Sequence, residues 1–346
     1  MSATVKRSHS DANQANASNN DEPTSKRASV SSNNASSSSW LVPLRAVYAH
    51  RKGEREDMQD AHVIVDDLVK ECSMAAPTTE QLERLSYFAV FDGHNGARAA
   101  NFAAAHLHKQ LASRLILGPD LKTIESSMKR TFVETYKATD DLFLSEATAA
   151  KPSWKDGTTA TTILALNNTL FIANLGDSRA ILCRRKREET ADNQQAQVKE
   201  LALVLTKDHS PQQFEERMRI QKAGGLVKDG RILGVLEVSR SLGDGQYKNH
   251  GVTCMPDIKK CTLTQDDRYV LIACDGLWKT FSNADVLEYV NEAIAVARKR
   301  TDLVETDDKT VDQLRWESVC SSLAGEAVRR GSGDNVTVVL VLIGKQ

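Results

Sequence analysis

The sequence predicts an α+β fold in which antiparallel sheets are covered by pairs of helices. Between residues 158 and 184, three short β-branched segments follow one another directly, which is typical of an antiparallel meander. Segments with helical periodicity come in pairs and do not alternate singly with strands. The sequence contains neither a P-loop pattern nor a G-x-S-x-G elbow, so neither a P-loop nucleotide fold nor a serine hydrolase is indicated.

The N-terminal segment differs in composition from the rest of the chain. Residues 1–39 are rich in Ser, Asn and Ala, with too few apolar side chains to offset the entropy lost on ordering. We therefore expect a disordered tail at 1–39 and one folded domain at 40–346, which begins with Trp40.

Composition also limits the function. A net charge of −1 over 346 residues argues against a generally basic nucleic-acid binder. The six cysteines are scattered without a C-x-x-C pair, which predicts reduced thiols and an intracellular protein. No segment approaches the roughly 20 consecutive apolar residues of a membrane helix, and the polar N-terminus lacks the apolar core of a secretory signal. We expect a soluble monomer in the cytoplasm, the nucleus or both, with no nucleic-acid or membrane partner.

The first half of the folded domain is predicted to contain strands, a helix pair and then the meander. The break at Gly118-Pro119 separates the two helices, and turn sequences at 167–168 and 176–177 join the meander strands. In chain order, the predicted elements are strands at 41–49, 61–65 and 87–91, helices at 97–117 and 121–147, and strands at 158–166, 169–175 and 179–184.

The second half begins with a charged loop at 184–199 and a further strand. Ser210-Pro211 predicts the N-cap and first-turn proline of a helix that ends at Gly224-Gly225. A glycine-rich irregular segment at 230–247 follows. The remaining predicted elements are an apolar strand from 269, helices at 283–300 and 309–330, and a last strand after Asp334.

Carboxylates recur at the ends of the predicted strands. The residues concerned are Asp60, Asp92, Asp275 and Asp334. A tight turn explains each one alone, but the recurrence favours their meeting at one place. Carboxylates that meet repel one another unless cations lie among them, and oxygen ligands without a Cys cluster indicate Mg²⁺ or Mn²⁺. Gly93, which follows Asp92, would let an ion approach the main chain, so its carbonyl is a further candidate ligand.

Such a centre suits the hydrolysis of a phosphate ester. Two hard ions about 3.5 to 4 Å apart lower the pKa of a shared water and place the hydroxide in line with phosphorus. His94, two residues from Asp92, is positioned to protonate the leaving alkoxide as general acid. Arg55, on the segment that carries Asp60, supplies a bidentate clamp for the phosphoryl oxygens. Nothing in the sequence requires a covalent intermediate.

Structural explanations exist for several of these residues. His94 could cap a helix that starts near Ala97, and Arg55 could be a solvated loop charge. We interpret two further carboxylates, Asp177 and Asp244, as turn formers that pair with Arg179 and Arg240 rather than as metal ligands.

Seven motifs occur in a fixed order: Arg55-x-x-Met58-x-Asp60-Ala61-His62, Phe91-Asp92-Gly93-His94, Asp156-Gly157-Thr158-Thr159-Ala160, Ala173-Asn174-Leu175-Gly176-Asp177-Ser178-Arg179, Ser239-Arg240-Ser241-Leu242-Gly243-Asp244, Cys274-Asp275-Gly276-Leu277-Trp278 and Gly333-Asp334-Asn335-Val336-Thr337. Together they resemble the metal-dependent type 2C protein phosphatases, the PPM family. The resemblance covers about residues 47–343.

The resemblance implies a four-layer α-β-β-α sandwich, in which two central antiparallel sheets are flanked by helix pairs. It implies hydrolysis of phosphoserine and phosphothreonine in proteins at a centre of two Mg²⁺ or Mn²⁺ ions. Carried over by position, the implied metal ligands are Asp60, Asp92, the Gly93 carbonyl, Asp275 and Asp334. Arg55 would contact the phosphate and His94 would donate the proton.

The sequence departs from the family pattern at three places. Gln59 replaces a common Glu, and Asn95-Gly96 replaces the usual Gly-Gly. The family's third, weaker metal site uses an Asp before the Gly-Ser-Thr motif, where this chain has Trp154. Asp156 is a candidate substitute, which leaves a third ion in doubt.

We expect an active serine/threonine phosphatase that acts on phosphorylated proteins in kinase signalling, with a kinase as a candidate partner. The alternative is a weakly active or inactive family member that serves as a kinase-binding module, which the changes at Gln59 and Trp154 keep open. A scaffold protein whose Asp-Gly pairs are only turns is a third hypothesis, and it predicts no metal dependence. Retention of all predicted ligands, of Arg55 and of His94 favours the enzyme.

Overall fold

The computed structural model describes residues 41–75, 79, 81–118, 120–188, 197–306 and 309–344, without the side chains of residues 188 and 197. The predicted disorder of 1–39 therefore lies outside the described residues. Within them, no helix is long and apolar enough to cross a membrane.

The strands of the described part are β1 (Leu44–Arg51), β2 (Ala61–Val65), β3 (Leu85–Phe91), β4 (Gly93–His94), β5 (Gly157–Thr158), β6 (Ala160–Leu166), β7 (Thr169–Leu175), β8 (Arg179–Glu188), β9 (Gln197–Val204), β10 (Val227–Lys228), β11 (Arg231–Ile232), β12 (Leu242–Gly243), β13 (Asp257–Thr262), β14 (Asp267–Ala273) and β15 (Val336–Ile343). The helices are α1 (Leu68–Glu71), α2 (Arg98–Arg114), α3 (Leu121–Ala149), α4 (Phe214–Lys222), α5 (Gly245–Lys248), α6 (Asp275–Trp278), α7 (Asn283–Arg298) and α8 (Val311–Arg329).

Two five-stranded sheets form the centre of the fold, with the strand orders β1-β15-β14-β8-β9 and β13-β7-β6-β3-β2. Neighbouring strands in both sheets run antiparallel. Strands β3, β6, β14 and β15 are buried along their whole length, because both faces of each sheet are covered.

Three apolar layers hold the sheets and helices together. One packs helices α7 and α8 against the first sheet, through residues such as Val290, Trp316 and Leu340. A second packs α2 and α3 against the other sheet, through Leu107 and Phe132. The third lies between the two sheets. The predicted four-layer α-β-β-α sandwich is confirmed.

Side-chain caps fix the starts of three of the long helices, α3, α7 and α8. Asp120 accepts a hydrogen bond from the backbone of Thr123 at the start of α3, and Thr310 accepts one from Gln313 at the start of α8. Ser282 and Asp285 form a capping box that opens α7. These caps explain why the starts of these three helices agree with the sequence periodicity to within two residues.

Two predictions about secondary structure are wrong. The segment 184–199 is not simply a loop, because much of it belongs to strands β8 and β9. These strands pair with each other from Ile181 opposite Val204 to residue 188 opposite residue 197. Ser210 does not cap α4: its carbonyl accepts a hydrogen bond from Gln213 in a turn, and the helix begins only at Phe214. The predicted end of this helix is confirmed, since Gly224 follows it with a positive φ of 79°.

Candidate metal centre

The four predicted aspartates come together at one end of the two sheets. Asp60 precedes β2 and Asp92 follows β3, while Asp275 follows β14 and Asp334 lies two residues before β15. Carboxylate oxygens of Asp92 and Asp275 belong to a group whose ligand atoms all lie within 4.8 Å of one another. Asp60 and Asp92 belong to a second such group with the thiol of Cys274. Asp92 therefore joins the two groups.

A cavity of about 230 Å³ opens over these groups. It is lined by Arg55, Gln59, Asp92, Gly93, His94, Asn95, Thr159, Asp177, Val235, Leu236, Glu237, Val238, Asp275, Lys279 and Asp334. Every predicted site residue except the more deeply placed Asp60 lines this cavity.

Asp60 is a buried carboxylate with nothing to neutralise it among the described residues. Its side chain is only 9% exposed, and neither of its oxygens receives a hydrogen bond of good geometry. Burial raises the pKa of Asp60 to about 6, although the nearby Thr337 hydroxyl and Cys274 thiol partly offset this rise. A buried carboxylate without partners is costly unless a cation binds it.

Asp92 and Asp177 resemble Asp60 in that burial raises the pKa of each carboxyl group. Burial and the neighbouring carboxylates raise the pKa of Asp92 well above its usual value, and they raise the pKa of Asp177 to about 7. The predicted pairing of Asp177 with Arg179 is wrong. The Arg179 guanidinium instead pairs with Asp208 at 2.7 Å, so Asp177 faces Asp92 and Asp275.

Two cationic side chains lie at the outer part of the centre. A guanidinium nitrogen of Arg55 lies 3.0 Å from the carboxylate of Asp334. The Lys279 ammonium lies 2.7 Å from Asp275 and 2.9 Å from Asp334. Burial alone would raise the pKa of Asp334, but these two cations outweigh it and lower that pKa. Burial raises the pKa of Asp275 despite Lys279.

Asn335 fastens the loop that carries Arg55 and Gln59 to the start of β15. Its amide nitrogen donates to the carbonyls of Lys52 and Asp57, and its amide oxygen accepts from the backbone of Gln59 at 2.7 Å. This clamp places Arg55 beside Asp334. This role of Asn335 was not predicted from the sequence.

Glycine is required at position 93 because another segment of the backbone lies against it. A Cβ atom at this position would lie 2.3 Å from the carbonyl oxygen of Gln59, so no side chain fits. The backbone of Asp92 beside it is held by Thr159, whose hydroxyl accepts from the Asp92 amide at 3.1 Å. The Thr158 hydroxyl donates to the Asp92 carbonyl at 3.0 Å.

His94 forms a close pair with Asp244. Its Nε2 atom lies 2.6 Å from a carboxylate oxygen of Asp244, which is fully buried and also accepts a hydrogen bond from Ser241 at 2.7 Å. Burial would lower the pKa of His94, but the Asp244 carboxylate outweighs it and raises that pKa. The predicted pairing of Asp244 with Arg240 is wrong, because Arg240 pairs with Glu216 at 2.6 Å. His94 also does not cap α2, whose N-cap residue is Ala97.

The residues present fit hard divalent cations. Carboxylate oxygens from five chain segments converge, Asp60 has no hydrogen bond of good geometry within the described residues, and the Cys274 thiol that lies among them is protonated, because burial raises its pKa well above the usual value. Such a donor set prefers Mg²⁺ or Mn²⁺ over softer metals.

Comparison with known proteins decides the family. Residues 46–336 match the family model described as Protein phosphatase 2C. The chain belongs to the protein phosphatase 2C family. It is 51% identical over 308 residues to the integrin-linked kinase-associated serine/threonine phosphatase 2C of Mus musculus, covering 89% of this chain and 74% of the mouse protein. The residues of segments 51–56 and 217–225 predict a resemblance to that phosphatase, and the 51% identity over 308 residues confirms the resemblance for the chain as a whole.

Solved structures of other proteins share the fold. A sex-determining protein of C. elegans superposes with a TM-score of 0.67 at 24% identity, covering 86% of this chain and 64% of that chain, which is less than two-thirds of its length. A serine-threonine phosphatase 2C from Toxoplasma gondii gives a TM-score of 0.62 at 20% identity, covering 87% and 95%. At these identities the likeness concerns the fold alone.

Membership of the 2C family confirms the prediction of a metal-dependent protein serine/threonine phosphatase. Asp156, the candidate substitute ligand of a third ion, is otherwise engaged. It accepts hydrogen bonds from the backbone and the guanidinium of Arg98 at 3.1 and 3.0 Å and is 1% exposed. Trp154 packs against Phe143, and the Arg98 guanidinium lies 5.3 Å from its ring centre.

Five residues of this 2C phosphatase site were missed or misassigned from the sequence: Asp177, Asp244, Cys274, Lys279 and Asn335. Each lies in or directly beside one of the motifs. A signal did exist for Asp177, because it follows strand β7 closely in a Gly-Asp pair, as Asp92 and Asp275 closely follow strands β3 and β14.

Proposed function

We propose that this phosphatase hydrolyses phosphoserine and phosphothreonine in proteins at the cavity described above. The observation that carries the proposal is the convergence of Asp60, Asp92, Asp275 and Asp334 in one place, together with Arg55 and His94. No single segment of the chain could supply this set.

We further propose two ions, each Mg²⁺ or Mn²⁺. The residues that would hold them are Asp60, Asp92, the Gly93 carbonyl, Asp275 and Asp334, and the geometry adds Asp177 to this set. When bound, such ions supply a nucleophilic hydroxide at neutral pH and stabilise negative charge on the phosphoryl oxygens. The pairing of Asp156 with Arg98 speaks against a third ion at that position.

Arg55 is proposed to bind the phosphate. A guanidinium group has five N–H donors, so a contact with Asp334 leaves several of them for a second anion. The Arg55 side chain is 57% exposed and lines the cavity, so an entering phosphate can reach it. Asp334 would restrict the guanidinium to the cavity side before the substrate arrives.

His94 is proposed to protonate the leaving oxygen of serine or threonine. Its Nε2 atom is engaged by Asp244, so Nδ1 is the atom that would carry the transferable proton. The raised pKa of His94 favours the imidazolium form that this role needs. Asp244 acts through His94 as a positioning residue.

The proposal involves direct attack by water without a phosphoenzyme. The nearest thiol, that of Cys274, is fully buried and has a pKa well above the usual value, so it is a poor nucleophile. A phosphorothioate ester made chiral with oxygen isotopes would test this step. One in-line displacement inverts the configuration at phosphorus, whereas retention would show a covalent intermediate and overturn this part of the proposal.

A kinase is proposed as a binding partner, since the mouse relative is named an integrin-linked kinase-associated phosphatase. Co-purification of the endogenous protein with a kinase, through an intact epitope tag, would support this, and its consistent absence would count against it. The alternative of a weakly active kinase-binding module remains a hypothesis. It predicts kinase binding together with negligible turnover at saturating Mn²⁺.

We also propose a monomer located in the cytoplasm, the nucleus or both. All six cysteines are free, which suits a reducing compartment. Imaging of the tagged protein would test the location, and light scattering of the purified protein would test the monomeric state. Secretion, or a stable dimer at micromolar concentration, would contradict the proposal.

A further inference from the structure

Lys279 bridges two carboxylates that come from distant parts of the chain. Its ammonium lies 2.7 Å from Asp275 and 2.9 Å from Asp334, and both are proposed metal ligands. The lysine side chain is 47% exposed, whereas those of Asp275 and Asp334 are only 18% and 20% exposed. One half-exposed ammonium thus pairs with two largely buried carboxylates.

The position of Lys279 follows from the short helix α6. Lys279 lies one turn after Asp275, and its backbone amide donates to the Asp275 carbonyl at 2.8 Å. Trp278 fixes this turn, since its indole nitrogen donates to the Ala273 carbonyl at 2.9 Å and Arg179 stacks over its ring. The Lys279 backbone is therefore fixed one turn from Asp275, whether or not its ion pairs are formed.

The charge balance of the centre is uneven. No lysine or arginine in the described part of the chain forms an ion pair with Asp60, Asp92 or Asp177. Asp275 and Asp334, by contrast, share the ammonium of Lys279, and Asp334 also contacts Arg55. The inner carboxylates, those of Asp60, Asp92 and Asp177, therefore have no cationic ion-pair partner among the described residues. The outer carboxylates, those of Asp275 and Asp334, share the Lys279 ammonium.

We propose that Lys279 is a tethered counter-ion that competes with a divalent ion for the Asp275–Asp334 pair. A divalent ion can enter the inner group directly, but binding at the outer pair must first displace the ammonium. The two ions are therefore bound with unequal affinity, and Lys279 sets the weaker one. The displaced ammonium remains in the cavity beside Arg55, where it adds a second positive charge for the phosphate.

This inference rests on the proposed metal centre, and calorimetric titration of Mn²⁺ into the metal-free protein tests the two separately. The native protein is expected to show a tight and a weak phase. Lys279→Met should tighten the weak phase about tenfold, because the competing charge is gone. Lys279→Gln offers a second neutral variant should the first fold poorly. Lys279→Arg retains the charge and should stay close to the native protein.

Lys137→Met is the matched control. Lys137 also pairs with an aspartate four residues away, at 2.7 Å from Asp141, but it lies on the exposed face of α3 outside the cavity. Its Mn²⁺ isotherm should equal that of the native protein.

Phosphate binding by the Lys279→Met variant should change in the opposite direction to its Mn²⁺ affinity. Since the displaced ammonium helps to bind phosphate, Lys279→Met should weaken inhibition of the Mn²⁺-loaded enzyme by inorganic phosphate severalfold. An unchanged weak phase in both neutral variants would overturn the inference and leave the metal centre intact. Equal tightening in Lys137→Met would also overturn it. The absence of Mn²⁺ binding in the native protein would instead overturn the metal centre itself.

Discussion

The imidazole of His94 and the carboxylate of Asp244 lie 2.6 Å apart, although 150 residues separate them in the chain. Asp244 has a positive φ of 53° and is fully buried, so it adopts an unfavourable backbone conformation beside the histidine. The close approach leaves no space at Gly157, where a Cβ atom would lie 2.1 Å from Asp244 and 2.3 Å from His94. The fold thus holds the imidazole in one orientation.

Replacement of His94 should affect substrates according to their leaving groups. For His94→Ala we expect kcat on a phosphothreonine peptide to fall by about 10² to 10⁴, because an alkoxide needs a proton to leave. The loss on nitrophenyl phosphate should be much smaller, since nitrophenolate leaves without one. Steady-state rates on both substrates check this, and equal losses would show that His94 is not the acid.

Asp244→Asn should reproduce the same pattern with a smaller loss of about 10-fold, because the imidazole remains but loses its orienting anion. Asp229→Asn is a suitable control, since Asp229 also has a positive φ, of 51°, but is exposed and outside the cavity. A loss in Asp244→Asn that is equal for both substrates would indicate a purely structural role. Activity lost in Asp229→Asn would invalidate the comparison.

Asp177→Asn should have opposite effects on metal affinity and on the metal-free protein. We expect Mn²⁺ affinity to fall about tenfold, because one carboxylate of the cluster is lost. The metal-free Tm should rise by about 3 °C, because repulsion with Asp92 and Asp275 is relieved. Calorimetric titration and thermal unfolding in EDTA check these changes. If both values stay unchanged, Asp177 is the turn former that the sequence suggested.

Metal binding should release protons near neutral pH. The pKa of Asp60 is raised from 3.8 to about 6 and that of Asp177 from 3.8 to about 7, so the metal-free folded protein retains protons that the unfolded chain has lost. These raised pKa values make the metal-free protein less stable as pH rises from about 4 to 7. Bound metal requires the deprotonated carboxylates, so Mn²⁺ affinity should fall as pH decreases from 7 to 6.

Calorimetry in buffers of different ionisation enthalpy measures this release. We expect about one proton per protein at pH 6.5 and almost none at pH 8.5. Release that is equal at both pH values would contradict the raised pKa values of Asp60 and Asp177.

Replacement of Arg55 should mainly weaken substrate binding. For Arg55→Lys we expect the KM for a phosphothreonine peptide to rise about tenfold with a smaller change in kcat, because the bidentate contact is lost while the charge remains. Arg51→Lys is the control, since Arg51 bonds to Ser321 outside the cavity. A lower kcat at unchanged KM would place the role of Arg55 in the transition state alone.

Much of the fold and of the site could be predicted from the sequence, because the patterns of apolar and capping residues that indicate them are local in the chain. Apolar runs such as 87–91 directly predict buried strands, and the carboxylates next to these strands converge because the strand ends meet at one end of the two packed sheets. The helix pairs follow from periodicity together with caps such as Ser282.

The wrong predictions for Asp177 and Asp244 share one physical cause, which is that ion pairs form between side chains that are distant in the sequence. Asp177 lies two residues from Arg179, and Asp244 lies four from Arg240, so local pairing was the reasonable prediction. In the fold both arginines are taken by distant carboxylates, Asp208 and Glu216. That choice depends on the packing of α4 and the neighbouring loops, which no local pattern encodes.

The role of Lys279 was missed for a related reason. One turn after Asp275 it is an ordinary exposed lysine, and only the approach of the segment before β15 brings Asp334 to it. Likewise, the requirement for glycine at position 93 arises from the backbone of Gln59, which belongs to another segment.

The central claim is that converging carboxylates hold divalent ions that make water attack phosphorus. Its most direct test is the rate of phosphate release from a phosphothreonine peptide by the native protein and by Asp92→Asn, after EDTA treatment and with Mn²⁺ then added back. We predict that EDTA abolishes the native rate, that Mn²⁺ restores it, and that Asp92→Asn remains about a thousandfold slower at all Mn²⁺ concentrations. A native rate unaffected by EDTA, or a native-like rate in Asp92→Asn, would contradict the claim.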